Sequence, residues 1–410
     1  MIYNKLLFIS AVLLSISVGL SIALDHFAIA VGLIGLIWFI AKGEFHIRKL
    51  DLRLLFVSLT GFISSIFSGM FVYSLKNAHY MWHFLPYFIV SRVGRKYIRV
   101  VLNILALFAI ISSFGVFFQG FFHIRPNDMF KHIHHLHFYH SIMLHSSGFF
   151  GNALTTAGVM APSALLFLSL LIFSKESARA KILYLLAFMS SFASVLILAE
   201  RCYWLGFLSA MLVLPFIYRK KISLIITLSI VAILTLSYFS IKPIQMRANS
   251  IVYFHKDVSA MDRIAMWSAA LDKFKDEGIT RKLIGYGMEN VHNAVKPYLI
   301  KRVKEIFGDK NIASHVGHNE LHNEYLHILI RWGVVGLIIW LYMWFYVIKE
   351  NIGFINKTDD DFSLSIEIGL TLSFVAFLIG GFFENNVDDA EVIIFIMYLL
   401  GLNGAVKEPL

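Results

Sequence analysis

Charge is what this sequence has least of. Asp, Glu, Lys and Arg make up 15% of its 410 residues, against about 25% in ordinary soluble domains. Hydrophobic residues make up 58%, and the mean hydropathy is +0.72. A water-soluble fold of this length cannot hide so much apolar surface, because surface shrinks too slowly with size. Lipid as the solvent removes that difficulty. Cysteine is nearly absent, and the lone Cys202 excludes an internal disulfide and a cysteine-based zinc site. There is no Gly-rich phosphate loop, no nucleotide fingerprint and no internal repeat, and the last of these weakens inverted-repeat transporter designs.

The apolar residues fall in blocks, and blocks of roughly 17–25 residues are the length that crosses a bilayer. Twelve are read here: Leu6–Leu24, Phe27–Ala41, Leu54–Tyr73, Tyr80–Ser91, Val100–Phe122, Leu154–Phe173, Ile182–Ala199, Tyr203–Tyr218, Ile222–Ile241, Tyr325–Ile348, Leu364–Phe383 and Ala390–Val406. Each is continuous, without the alternation of barrel strands, so helices are expected rather than a β-barrel. The fourth is short and holds His83 and Pro86, which suits a half-helix or a re-entrant piece. The first runs straight into the second and lacks a small-x-small site before Asp25, so it does not read as a cleavable signal. The expected fold is an all-α polytopic membrane protein of about twelve transmembrane helices. Residues 1–241 carry the first nine, 242–324 form a large helical loop, and 325–410 carry the last three.

Lys and Arg set the orientation. With the N-terminus cytoplasmic, the inside segments hold eighteen basic residues, and the short outside loops hold only Lys76, Arg125, Lys131 and Arg201. That bias favours cytoplasmic termini and an outward-facing long loop. The net charge of +10 therefore has a mainly topological cause. Membrane lipids are the expected surroundings and no nucleic acid is expected as a partner.

Three polar places stand out. In LILAERCYWLGF, Glu200 and Arg201 join two hydrophobic blocks so tightly that Arg201 lies at the outer membrane surface. It reads either as a snorkelling anchor or as an anion clamp, since guanidinium grips phosphate bidentately and keeps its charge near lipid. In SAMDRIAMWSAALDKFKDEG, Ser259 and Asp262 resemble a capping box, and Ile264, Trp267, Leu271 and Phe274 share a helical face up to Gly278. Arg263 then falls in the first turn, where the helix dipole disfavours a cation. A bound anion there would ease it, and an ordinary exposed arginine is the other reading. In HVGHNELHNEYLHILIRWGVVGL, His318 and His322 lie one turn apart, as do Asn319 and Asn323. Asn319 follows His318 where a zinc protease needs Glu, so a zinc-protease reading fails. A histidine at the membrane surface suits a general base, or else interfacial and capping polarity.

Two further segments have plainer readings. His132, His134, His135, His137, His140 and His145 crowd one outside loop, but only Asp128 is nearby as a carboxylate and the spacing suits no metal geometry. In PYLIKRVKEIF, Leu299, Ile300, Val303, Ile306 and Phe307 oppose Lys301, Arg302 and Lys304. Such a basic amphipathic helix lies on an anionic membrane surface or packs on the neighbouring loop helix.

The long outer loop before the tenth block, the arginine opening the eighth, and H-N-x-x-L running into a G-x-x-G-L helix together resemble the O-antigen ligase/polymerase superfamily. KPIQMR at 242–247, DRIAMW at 262–267 and LHNEYL at 321–326 are similar to lipopolysaccharide O-antigen ligases. The topology matches over the whole chain and the motifs over about 40 residues. The resemblance implies a GT-C-type glycosyltransferase in the cell inner membrane. O-antigen would pass from undecaprenyl diphosphate to the lipid A–core oligosaccharide at the periplasmic face, by inverting transfer without metal, nucleotide sugar or cofactor. It assigns the two family arginines to Arg201 and Arg263 and the essential histidine to His322, with Arg247, Asn323 and His318 as further substrate-binding residues. Glu200 departs from the family's context and stands ready to pair with Arg201. An O-antigen polymerase shares the superfamily, and a lipid-linked sugar transporter is the alternative from another class.

Overall fold

The computed structural model describes residues 2–17, 19–68, 71–131, 137–139, 142–287, 291–308, 312–317 and 320–407. Among these residues there are helices and connections but no strand. The helices are α1 (Ile2–Ser17), α2 (Ile22–Ala41), α3 (Lys49–Ile66), α4 (Phe71–Lys76), α5 (Leu85–Val90), α6 (Ile98–Phe122), α7 (Ala153–Phe173), α8 (Ala178–Leu198) and α9 (Arg201–Ile217). There follow α10 (Lys221–Ser240), α11 (Lys242–Val252), α12 (Val258–Asp276), α13 (Ile279–Ile284), α14 (Val291–Phe307), α15 (Ile312–Val316), α16 (Glu324–Ile355), α17 (Asp361–Gly380) and α18 (Ala390–Val406).

Among the described residues, seven helical stretches are long and apolar enough to cross a bilayer: α2, α6 with its preceding turn, α7, α8, α10, α16 and α17. The expected number was about twelve. The other expected blocks differ in length or charge: α1, α9 and α18 are apolar but only 16–17 residues long, which is about 24–26 Å, and α3 carries Lys49, Asp51 and Arg53. The fourth block breaks into a 3₁₀ stretch, Asn77–Phe84, and the six residues of α5. The core sits where α7, α17 and α18 are enclosed by α1, α5, α6, α8 and α9. Apolar side chains turned outward, such as Phe216 and Phe239 at 74% exposure, are what a lipid-facing surface looks like and what water would not tolerate in such number. The chain is an integral membrane protein of all-α class.

The tenth block is not one straight helix. Gly333 has φ 69° and ψ −174°, and Trp340 Nε1 donates to Glu324 Oε1 at 2.9 Å. A continuous helix would separate those residues by about 24 Å. Hence Glu324–Trp332 forms a half-helix folded back beside the crossing segment, residues 334–355. A break at membrane depth frees carbonyls that need donors. Tyr286 N donates to Ile330 O at 3.0 Å, Gly287 N to Arg331 O at 2.9 Å, and Ser64 Oγ to Arg331 O at 2.7 Å.

Helices α11–α15 lie between α10 and α16. There α12 and α14 pack face to face over Ala265, Ala269, Val295, Leu299 and Val303. Of the two readings of PYLIKRVKEIF, the apolar face therefore covers α12. Its Arg302 pairs with Asp272 at 2.5 Å and Glu305 at 2.8 Å. The cap of α12 is Asp257, whose carboxylate accepts from Ala260 N at 2.9 Å, rather than a box at Ser259. The helix starts earlier than expected, so Arg263 falls in the second turn, where the dipole's opposition has largely faded.

Candidate active site

Arg201 is placed by a reversal. Ala199 ends α8 in the left-handed region at φ 56°, and Glu200 caps the start of α9. Arg201 is thereby the first residue of α9 and points under the loop helices. Its guanidinium meets Asp257 through two nitrogens, at 2.9 and 3.1 Å, and Nη1 also donates to Ser250 Oγ at 3.0 Å. The cap of α12 is thus also the counter-ion of Arg201. Burial raises the Asp257 pKa less than Arg201 and the Ala260 amide lower it, and the net is a depressed carboxyl.

Glu200 does not pair with Arg201. Its Oε1 meets His145 Nδ1 at 3.0 Å, and its Oε2 lies 4.0 Å from Arg247 Nη2. Arg247, on α11, donates Nε–H to Ala199 O at 2.9 Å. Burial, and then the charge of Arg201, lower its pKa.

His322 stands at φ 44°. A left-handed non-glycine residue costs of order 1–3 kcal/mol and persists where its surroundings fix it. Those surroundings are visible. Asn323 caps α16, accepting from Leu326 N and donating to Phe382 O, both at 2.9 Å. Glu324 N donates to Gly381 O at 2.8 Å and Glu384 O at 3.1 Å. The start of α16 is so tied to the α17–α18 connection, and Glu384 comes to His322 Nδ1 at 2.9 Å. Burial alone would lower the His322 pKa. The Glu384 hydrogen bond and charge outweigh burial and the opposing Arg263 charge, and the result is raised. Glu320, buried and facing Asp388 and Glu384, is pushed up to about 7.

Arg263 extends toward the same carboxylate, with Nη2 3.6 Å from Glu384 Oε2. Its buried Nε–H has no hydrogen-bond partner among the described residues.

These groups surround one cavity of about 500 Å³. Arg201, Arg247, Arg263 and His322 all line it, with Glu200, and Trp267 and Phe383 form an aromatic wall. Such a site offers cationic donors for a phosphate and a carboxylate-supported imidazole for a proton. Asn323 does not reach the cavity, since its amide is occupied as a cap. His318 lies outside the described residues, as do His132, His134, His135 and His140.

Glu384 and Asp257 were missed by the sequence reading. The signal for the first was ENNVDDAE at 384–391, a polar cluster between the last two apolar blocks. A second pair of contacts uses it as well: Asp388 accepts from Arg331, and its Oδ2 lies 2.9 Å from His327 Nε2. Burial would raise Asp388, but the Arg331 guanidinium and the His327 contact hold its carboxyl well below the usual range.

Residues 186–341 match the family model described as O-antigen ligase. No curated protein matches the chain. The matched segment contains Arg201, Arg247, Arg263 and His322 and ends before Glu384. Members of that family are glycosyltransferase-like ligases and polymerases.

Proposed function

We propose that this chain of the O-antigen ligase/polymerase superfamily is an O-antigen ligase. It transfers O-antigen polysaccharide from undecaprenyl diphosphate to a sugar hydroxyl of the lipid A–core oligosaccharide, at the periplasmic face of the inner membrane, as a metal-independent inverting glycosyltransferase. The observation that carries the reading is the convergence of Arg201, Arg247, Arg263 and His322 on one cavity. The segments KPIQMR and LHNEYL favour the ligase over a polymerase, whose acceptor would be another lipid-linked repeat.

The acceptor oxygen attacks the anomeric carbon as the bond to the diphosphate oxygen breaks and takes its electron pair there. Glu384 accepts from His322 Nδ1–H, which favours the tautomer with a basic Nε2. Nε2 takes the acceptor's proton, an effect typically worth about 10²–10⁴ in rate. The departing diphosphate gains charge, and one oriented cationic contact can stabilise it by roughly 3–4 kcal/mol. Arg263, with a buried donor still to be matched, suits that task. Arg201, held by Asp257, fixes the floor and the height of the diphosphate. The loop helices 242–324 act as a cover over the site, and the membrane helices hold the carrier's lipid tail.

The test is the lipopolysaccharide pattern of a deletion strain. Loss of ligase leaves long polysaccharide on the carrier lipid. Single repeats on the carrier would identify a polymerase instead, and substrate trapped inside would identify a transporter. In purified protein, His322→Ala is expected to abolish transfer, and wild-type turnover by it eliminates the base assignment.

A further inference from the structure

A second cavity, about 520 Å³, opens at the other end of the bundle. It lies at the start of α3 and just past the ends of α16 and α18. The crossing segment of α16, residues 334–355, puts it about 33 Å from the reversal at Gly333. Arg48, Lys49, Lys357 and Lys407 converge on it from three elements, with Glu350 as the lining carboxylate and Lys407 paired with the buried Glu367 at 3.4 Å.

Topology-setting lysines account for basic residues at a membrane surface. They do not account for the shape of this place. Arg48 is half-buried, and its Nη1 donates to Ser91 O at 2.9 Å and Gly404 O at 3.2 Å, which fixes the head in the wall. Burial and the nearby Arg92 charge push its pKa down to about 10. Gly353 sits inside α16, where glycine costs roughly 0.5–1 kcal/mol relative to alanine, and a Cβ there would meet nothing within 4 Å. The space beside it is therefore open cavity. From the rim, α3 and α16 pack side by side, with the Arg53 guanidinium over the Tyr342 and Tyr346 rings, and they expose the apolar Leu52, Phe56 and Phe345.

We propose that this cavity binds the headgroup of an anionic phospholipid, with its phosphate against Arg48 and Lys49 and its acyl chains along the seam of α3 and α16. Juxtamembrane cations attract such lipids at about 1 kcal/mol each. The exposed apolar side chains of α3 and α16 are what select a lipid over free phosphate. The site is separate from the arginine cavity, and its occupancy is independent of the transfer reaction.

The test uses the full-length protein in detergent. Native mass spectrometry and thermal shift would follow the binding of dihexanoyl phosphatidylglycerol, dihexanoyl phosphatidylcholine and inorganic phosphate. Saturable binding of the glycerol lipid alone is expected. Lys49→Gln with Lys357→Gln should weaken it roughly 30-fold, two charges' worth. Gly353→Phe should block it without altering charge, and the lysine pair, both exposed, covers the case in which that variant does not fold. Equal binding of the choline lipid, full competition by equimolar phosphate, or wild-type affinity in a folded variant would each overturn the assignment.

Discussion

Glu384→Gln tests the site most directly. Glutamine keeps the size and one acceptor oxygen of the carboxylate that sits 2.9 Å from His322 Nδ1, but removes the charge. A hydrogen bond to a charged partner contributes about 1.5–3 kcal/mol. If that support is delivered as the imidazolium forms, transfer slows by roughly 10- to 100-fold. The pH profile carries the sharper information. A base must be neutral, so the rate falls on the acid side through the pKa of His322. In the wild type that limb lies above the ordinary histidine value of about 6.5, because Glu384 raises it. Without the charge the limb moves to lower pH, and the deficit of the variant narrows as pH falls. Arg263 Nη2 also faces Glu384, at 3.6 Å; loosening it alters KM for the donor and, because its charge opposes protonation of His322, shifts the limb the other way by less than the loss of Glu384 does. The assay is transfer between lipid-linked polysaccharide and lipid A–core by purified protein across about pH 5–9, a range that brackets ordinary histidine and reaches further on its alkaline side. An unmoved limb would refute the pairing of Glu384 with the base. The same pair adds to fold stability below about pH 6.5, and that contribution is lost as pH rises through the raised His322 value.

Arg263→Lys keeps charge and loses the planar fork, so kcat should fall at least about tenfold; undiminished transfer would argue against a bidentate grip. Asp257→Ala removes a helix cap, about 1 kcal/mol, and leaves the buried Arg201 unmatched. A total loss of about 3–5 kcal/mol is expected, seen as a lower Tm, while Asp257→Asn should keep the cap share; equal Tm values for Ala and wild type would contradict the double role. Gly333→Ala places a Cβ 2.3 Å from the Leu283 backbone at a φ of 69°, so roughly 3 kcal/mol or more is expected to be lost. An unchanged Tm there would mean that the two halves of α16 are not held at this crossing.

Much of the fold was legible because apolar blocks report helices in lipid directly. What composition could not report was the break in α16. Its cause is one glycine whose freed carbonyls are met by Tyr286 and Gly287, residues 44 or more positions earlier in the chain. Helix ends were less legible: α1 stops at Ser17 and α3 at Ile66 where Leu24 and Tyr73 were expected, and the cap of α12 moved from Ser259 to Asp257, and with it the dipole argument for Arg263. The motifs marked Arg201, Arg263 and His322, and the fold brings all three to one cavity. Glu384 and Asp257 escaped because a counter-charge is defined by distance in space. Glu384 lies 62 residues from His322, in a stretch that reads only as a polar turn.

That stretch links the two halves of the argument. Glu384 holds His322 and faces Arg263, and Asp388, four residues on, takes Arg331 and His327. Glu324, His327 and Arg331 fall at i, i+3 and i+7, one face of the half-helix, and all are buried. A folded-back helix at the membrane boundary carrying three ionisable residues would be unstable facing lipid. Asp388 of the α17–α18 connection answers His327 and Arg331, and Trp340 donates to Glu324, so the reversal at Gly333 and the acidic turn require each other. The consequence for the site is geometric. His322 sits directly before the cap of a helix anchored at one end by Asn323 to Phe382 O and further along by Arg331 to Asp388. Its ring is thereby held against the arginines of α9, α11 and α12 by a segment that lies outside the family-matched residues 186–341.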